Sequence, residues 1–337
     1  MELFTYTRAT DADQAVNAAT HADVRFVAGG TTLLDLMKLD VERPTRLIDI
    51  NRIGLDTVEK LPNGGLRIGA LVRNSDLAHH PVVQSDYSVL SQALLAGASA
   101  QLRNMATTGG NLLQRTRCMY FRNTAMPCNK RAPGSGCSAI EGDNRTLAIL
   151  GASKDCIATN PSDMNVALTV LEAVITVRGS AGARDIPIGE FFLLPGTTPH
   201  IETVLAPGDL ITHVTLSAPR PQSKHVYLKL RDRASYEFAL SSAAIVAELS
   251  GGKFTFVRVA LGGVGTKPWR SHEAEAALLD GPAEIANFHR AADAALRDAH
   301  PQSENAFKVE LTRRCITHAL TLATQSASTR SASTRSA

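Results

Sequence analysis

The chain has 337 residues, of which 44% are hydrophobic and 20% are charged, and its formal net charge is +3. This length is sufficient for two or three domains with separate cores. No apolar run approaches the 18 residues of a transmembrane helix, so we expect no membrane span. The charge is only mildly basic and forms no dense Lys/Arg stripe, which leaves nucleic-acid binding without support. No HExxH motif or Ser/His/Asp arrangement stands out, and this argues against a hydrolase.

The first 55 residues predict a small α/β unit with a glycine-rich loop. A buried strand at 24–28 (VRFVA) is followed by Gly29-Gly30-Thr31-Thr32, a helix at 33–39 and a strand at 45–50. Thr31 or Thr32 is the expected N-cap of that helix. Glycines at a strand-to-helix turn let the backbone approach a ligand, and the helix N-terminus suits a phosphate. A tight turn without a ligand is the alternative.

A second loop with the same pattern, ATTGGNLL, occupies residues 106–113. It follows a predicted strand at 65–72 and predicted helices at 74–80 and 89–99. Two neutral loops of this kind suit the two phosphates of a pyrophosphate. Neither loop matches GxGxxG or GxxxxGK[ST], so a Rossmann NAD domain and an NTPase are both disfavoured. The absence of a basic residue from both loops indicates a tightly held organic cofactor.

Four of the five cysteines fall in the segment after the second loop. They are spaced C-x9-C-x8-C-x18-C in a Gly-, Pro- and Asn-rich sequence that is typical of a loop, at Cys118, Cys128, Cys137 and Cys156. A loop of this length needs something to hold it, and four thiolates fit either tetrahedral zinc or a [4Fe–4S] cluster. The absence of C-x2-C pairs makes zinc the weaker choice, and four unrelated thiols are the remaining alternative. The fifth, Cys315, is predicted to be a buried helix cysteine.

Two charged positions further along the chain are candidate ligand contacts. Asp163 begins a helical pattern at 164–173, so it is either a helix N-cap or a carboxylate that accepts from a ribityl or ribose hydroxyl. Lys229, Arg231 and Arg233 alternate on one face of a predicted strand at 225–233. The simplest interpretation of that face is that it is solvated.

A Pro-rich link at 217–223 separates this part from a predicted α+β domain. Strands are expected at 225–233, 239–250 and 253–264, and helices at 271–279, 283–299 and 304–324. The final residues repeat SASTR, and this low-complexity sequence predicts a disordered tail.

The two glycine loops, Asp163 and the strand lysine together resemble the FAD-binding medium subunits of the molybdenum hydroxylases, the group of xanthine dehydrogenase and carbon monoxide dehydrogenase. FVAGGTTLLDLMK and TTGGNLL match the two pyrophosphate loops of that family, and the resemblance covers residues 1–324. It implies an α+β fold class: a vanillyl-alcohol-oxidase (PCMH)-type FAD-binding fold of two α/β subdomains, then a C-terminal α+β domain with an antiparallel sheet and helices. The implied boundaries are 1–55, 56–219 with an insertion at 114–157, 223–324, and a tail at 325–337.

The cysteine-bearing insertion resembles two branches of this family, the periplasmic aldehyde oxidoreductases and the 4-hydroxybenzoyl-CoA reductases. In both it binds a [4Fe–4S] cluster, and NLLQRTRC, PCNKR, PGSGC and CIATNPSDM are more similar to the first branch. The resemblance implies that the four cysteines ligate the cluster, that Asp163 binds the ribityl chain, and that Ile211 and Lys229 lie near the isoalloxazine. The remaining FAD contacts that it implies are Val27, Ala28, Gly29, Gly30, Thr31, Thr32, Leu33, Leu34, Thr107, Gly110 and Asn111.

The resemblance also implies a function within a heterotrimer. A molybdopterin-binding large subunit oxidises an aldehyde to a carboxylate, and a small subunit carries two [2Fe–2S] clusters. This chain takes the electrons onto FAD and passes them to an external acceptor, so it has no catalytic residue for the substrate. The cluster either relays electrons or staples the loop. The alternatives are a stand-alone flavin alcohol oxidase and a zinc-stabilised, non-enzymatic binding module.

The N-terminal sequence, MELFTYTRATDADQ, lacks the charged and apolar regions of a signal peptide. From the resemblance we therefore expect a periplasmic location reached by co-export with a signal-bearing partner. A cytoplasmic location is the alternative.

Overall fold

The computed structural model describes residues 1–19 and 21–325. The predicted disordered tail lies outside these residues, apart from Gln325. The fold begins with a three-stranded parallel sheet in the order β1-β3-β2, and its elements are β1 (Thr5–Arg8), α1 (Ala12–Ala18), β2 (Val24–Val27), α2 (Leu33–Lys38) and β3 (Arg46–Asp49). Buried Ala15, Val16 and Ile48 pack with Leu71 and Leu210 of the next unit, so the first sheet is joined to the rest by an apolar contact.

The second unit is built on a five-stranded antiparallel sheet in the order β4-β5-β8-β6-β7. Its strands are β4 (Val58–Lys60), β5 (Leu66–Gly69), β6 (Val174–Gly179), β7 (Gly182–Pro187) and β8 (Leu210–Leu216). Its helices are α3 (Asn74–His79), α4 (Pro81–Asp86), α5 (Ser88–Ala96), α6 (Ala100–Met105), α7 (Thr108–Leu112), α8 (Met119–Arg122), α9 (Ser138–Glu141), α10 (Asp163–Val170) and α11 (Ile188–Phe191).

The C-terminal unit has a four-stranded antiparallel sheet in the order β12-β11-β10-β9. Its elements are β9 (Lys224–Leu230), β10 (Ser241–Ser250), β11 (Lys253–Gly262), β12 (Trp269–Arg270), α12 (His272–Leu278), α13 (Ile285–Ala295) and α14 (Phe307–Thr324). One sheet face packs on these three helices, while Ala244, Val246 and Ala260 on the other face join the core of the second unit. Helices α5 and α10 contact this sheet and also belong to the core of the second unit.

The cysteine segment is mostly irregular, as its composition predicts, with only the short helices α8 and α9. Its own small core contains Phe121, Leu147 and Ile157 together with Leu36 of α2. The segment therefore packs against the first unit as well as the second.

The structure differs from the sequence predictions mainly at sheet edges. Strands β1, β4 and β7 were not predicted, because their mixed, largely exposed residues do not alternate between apolar and polar. The strand predicted at 65–72 ends at Gly69, and the one predicted at 225–233 ends at Leu230. No helix within residues 1–19 and 21–325 combines the length and apolar character that membrane crossing requires.

Candidate cofactor site and cysteine cluster

The first glycine loop connects β2 to α2 and passes directly against the backbone at residue 105. A Cβ atom on Gly29 would lie 1.9 Å from the Met105 carbonyl oxygen, so only glycine permits this approach. Gly30 has a φ of +71°, which also favours glycine. Thr32 occupies the N-cap position of α2, as the sequence predicts, but its side chain makes no capping hydrogen bond. Within the described residues, the backbone N–H groups of Gly30, Thr31 and Thr32 donate no hydrogen bond.

The second glycine loop forms the short helix α7, and its N–H groups already donate hydrogen bonds within the protein. Thr107 caps the helix, since its hydroxyl accepts from the Gly110 N–H at 3.2 Å. The N–H groups of Thr108 and Gly109 donate to the carbonyls of Val72 and Ala70. The two loops therefore differ: the first offers unpaired backbone donors at a helix N-terminus, and the second offers mainly close approach and side chains.

Two neighbouring cavities meet at these loops and form an elongated cleft. The smaller, about 290 Å³, is lined by the first loop, Thr107, Gly110 and Ile211. The larger, about 440 Å³, is lined by Asn111, Asp163, Tyr236 and Phe238. Both include Thr31, Thr32 and Gly110, so the glycine loops form the waist between them. Cavities of this size suit the two ends of an extended organic cofactor.

Asp163 lies at the first position of α10 and its carboxylate is held by two side chains from β9. Lys229 Nζ lies 2.8 Å from one carboxylate oxygen, and the Tyr227 hydroxyl donates to the other at 2.5 Å. The cap of α10 is Ser162, whose hydroxyl accepts from the Asn165 N–H and donates to Asn111 Oδ1. The predicted capping role of Asp163 is therefore wrong. The Ser162 hydroxyl instead joins the Asp163 segment to the second glycine loop.

The cationic face of β9 is not solvated where it meets Asp163, contrary to the simplest sequence interpretation. Only 4% of the Lys229 side chain is exposed, and its ammonium also donates to the Ala96 carbonyl at 3.1 Å. Arg231 donates to the same carbonyl from just beyond the end of the strand. Arg233 alone of the three remains on the surface, where it pairs with Glu237.

Tyr227 is a site residue that sequence reasoning missed. Burial, together with the neighbouring Asp163 carboxylate, raises the pKa of Tyr227 well above its usual value, so its hydroxyl remains a donor at neutral pH. The available signal was its alternation with Lys229 along β9, which places both side chains on one face.

Ile211 and Lys229 are not brought together by the structure. Ile211, on β8, lines the smaller cavity with the first glycine loop, whereas Lys229 contacts Asp163 beside the larger one.

The four clustered cysteines line one small cavity, together with Tyr120, Phe121 and Pro127. Cys128 and Cys137 pair across an isolated antiparallel bridge, and Cys118 lies immediately before α8. None of the four forms a disulfide, and only Cys137 is not fully buried. Burial raises the pKa of Cys118 to about 11, so without a cation this thiol is protonated at neutral pH. Cys315 lies apart from them, buried in α14.

No group of three or more His, Cys, Asp or Glu side chains within residues 1–19 and 21–325 has the geometry to hold a metal ion. The four cysteines share one small cavity without forming such a group. A single zinc ion requires four sulfur atoms at about 2.3 Å from the metal.

Comparison with known proteins identifies the family. The profile described as the FAD binding domain in molybdopterin dehydrogenase matches residues 2–219, and that of the CO dehydrogenase flavoprotein C-terminal domain matches residues 226–324. The chain belongs to the molybdopterin dehydrogenase FAD-binding family. The predicted resemblance to the medium subunits of molybdenum hydroxylases is thereby confirmed.

Individual relatives extend over most of this flavoprotein. It is 53% identical over 329 residues to the aldehyde oxidoreductase FAD-binding subunit PaoB of Escherichia coli, covering 97% of this chain and 100% of that protein. It is 29% identical to the glyceraldehyde dehydrogenase medium chain of Sulfolobus acidocaldarius, covering 81% and 79%. The solved carbon monoxide dehydrogenase of Hydrogenophaga pseudoflava superimposes with a TM-score of 0.76 at 26% identity, covering 96% and 97%. The predicted α+β fold class is confirmed.

Proposed function

We propose that this chain is the FAD-binding, electron-transfer subunit of a heterotrimeric molybdenum aldehyde oxidoreductase. The observation that carries the proposal is the 53% identity to PaoB across almost the entire chain. Its partners are then a molybdopterin-binding large subunit, which oxidises the aldehyde to a carboxylate, and a small subunit with two [2Fe–2S] clusters. Electrons pass from these clusters to FAD on this chain and then to an external acceptor. When bound, FAD supplies the redox chemistry, and the chain positions it.

The cleft suggests how the cofactor lies. Its pyrophosphate fits the waist, where Gly30, Thr31 and Thr32 offer unpaired N–H groups to phosphate oxygens. The larger cavity, with Asp163 and aromatic side chains, suits the ribityl chain and isoalloxazine. The smaller cavity then takes the adenosine, and Ile211 belongs to that end rather than to the isoalloxazine end that the sequence resemblance implied.

The ion pair with Lys229 fixes the orientation of the Asp163 carboxylate at the edge of the larger cavity. A fixed carboxylate is a suitable acceptor for a ribityl hydroxyl. Lys229 acts here through Asp163, because its ammonium is already occupied by that carboxylate and by the Ala96 carbonyl.

We further propose that Cys118, Cys128, Cys137 and Cys156 hold a [4Fe–4S] cluster. All four line one cavity, as a common cluster requires. The absence of C-x2-C pairs among them favours a cluster over zinc. The buried thiols must lose their protons on binding, so the cluster's positive iron centres would offset the cost of burying thiolates.

Purification of the chain tests both proposals. A flavin absorption spectrum with about four iron atoms and four sulfides per chain is the expected result; zinc without iron or flavin would support the zinc-stabilised binding module. Cys128→Ser should remove the broad cluster absorbance and leave FAD bound. The matched control is Cys315→Ser, which should retain iron because Cys315 lies in α14 away from the cluster.

The subunit assignment has its own test. An aldehyde should not reduce the flavin of the isolated chain, but should do so after the molybdopterin and [2Fe–2S] subunits are added. Reduction of the isolated chain by an alcohol would instead establish a stand-alone flavin oxidase. Export with a signal-bearing partner is part of the proposal, and fractionation of cells that express the whole complex checks it.

A further inference from the structure

Two arginines of the cysteine segment share one carboxylate at the wall of the larger cavity. Arg122 Nη2 lies 2.7 Å and Arg117 Nη1 3.2 Å from the same oxygen of Asp35, which belongs to the first turn of α2. The two guanidinium groups are about three-quarters buried and both line the larger cavity. Within the described residues, Arg117 Nε and Arg122 Nη1 are buried without a hydrogen-bond partner.

The charges around this cavity do not balance. Of its carboxylates, Asp163 is neutralised by Lys229 and Glu237 pairs with Arg233. Asp35 is then the one carboxylate of the cavity lining left to face both guanidinium groups, and Arg103 adds a further positive charge to the lining. A buried donor without a hydrogen-bond partner is costly in free energy unless a ligand accepts from it.

FAD carries negative charge in two places that could accept hydrogen bonds from these two arginines. Its pyrophosphate is always anionic, and the wall begins at Thr31 and Thr32, which also line the cavity. Its isoalloxazine gains one net negative charge when it takes up two electrons and one proton. Arg117 also packs on the ring of Phe238, with its guanidinium carbon 5.0 Å from the ring centre, and this contact fixes it on the cavity side.

We propose that Arg117 and Arg122 bind an anionic group of FAD and supply the uncompensated positive charge of its site. This inference rests on the proposed function, because it needs FAD in the cleft. It assigns to the cysteine segment a direct role in cofactor binding, besides holding a cluster. It also assigns the stabilisation of negative charge on FAD to these arginines rather than to Lys229, whose charge is neutralised by Asp163.

The test compares Arg117→Gln, Arg122→Gln and the double variant with wild type, in the assembled complex. The control is Arg145→Gln, which removes a charge from the same segment but pairs on the surface with Asp232. FAD per chain, the dissociation constant of oxidised FAD and the flavin midpoint potential are measured. Contact with the pyrophosphate predicts at least tenfold weaker binding of oxidised FAD in the double variant. Contact with the reduced ring predicts a more negative midpoint potential with oxidised affinity unchanged.

Affinity and potential that both match the Arg145→Gln control would overturn the inference. Should the double variant fail to assemble, Asp35→Asn gives an independent answer in the opposite direction. That change frees both guanidinium groups, so it should tighten FAD binding or make the midpoint potential less negative; no change in either would again overturn the inference. Wild-type protein that lacks FAD altogether would reject the proposed function instead.

Discussion

Breaking the buried ion pair between Asp163 and Lys229 is expected to destabilise the chain strongly. The charges lie 2.8 Å apart, and the side chains are only 8% and 4% exposed, so water replaces the lost partner poorly. Their attraction is about 6 kcal/mol at an effective dielectric constant of about 20. Removing one partner of a buried pair typically costs about 3 to 5 kcal/mol. In Lys229→Met the carboxylate retains the Tyr227 hydroxyl, so we expect a loss of about 3 kcal/mol.

Urea unfolding of the purified chain without added FAD, followed by circular dichroism, measures this cost. Asp163→Asn and the double variant complete a double-mutant cycle, and the double variant should lose at least about 1 kcal/mol less than the sum of the single variants. Arg231→Met is the matched control: it also donates to the Ala96 carbonyl but faces no buried carboxylate, so its cost should stay below about 1 kcal/mol. Single losses below about 1 kcal/mol that simply add would refute the reasoning.

Three further predictions concern other parts of the fold. Gly29→Ala should lower FAD retention, because the new methyl group collides with the Met105 carbonyl; Gly189→Ala, in open space, is the control, and equal retention in both would contradict the prediction. Burial lowers the pKa of His225 to about 4, so the folded state resists a proton that the unfolded chain accepts near pH 6.5. The free energy of unfolding, measured in urea, should therefore fall by about 2 to 3 kcal/mol between pH 6.5 and 4. His225→Asn should remove most of this pH dependence. Lys308→Met should cost about 2 to 4 kcal/mol in the same assay, since one buried and two part-buried carbonyls lose their donor; a cost below about 1 kcal/mol would contradict this.

The sequence predicts those parts of the site that depend on residues close together in the chain. Gly29 and Gly30 are recognisable because a strand-to-helix turn with close backbone approach requires glycine, and the structure shows both the collision and the positive φ. The cysteine segment is recognisable from its composition and spacing. The identity of the metal that we propose for it is not a local property, because it depends on how far apart the folded chain holds the sulfur atoms.

The contacts that orient the site join residues far apart in the chain, and for this reason no local pattern predicts them. Tyr227 and Lys229 reach Asp163 across more than 60 residues, and Arg117 and Arg122 reach Asp35 across more than 80. Local patterns therefore suggest Asp163 as a helix cap, although Ser162 is the cap, and they place Lys229 on a solvated face, although it is buried. Both errors treat a charged side chain as if its nearest neighbours in sequence were its partners.

The cysteine segment is anchored at both sides by contacts that need no metal. Arg131 donates to three carbonyls within the segment, at residues 120, 121 and 126. Asn144 accepts hydrogen bonds from the Glu304 N–H and from the Asn305 side-chain amide in the loop before α14, and Lys308 of that helix donates to the carbonyls at residues 146 and 147. A segment fixed in this way does not need a cluster as a staple. The anchoring therefore argues against a staple role for the cluster that we propose at the four cysteines.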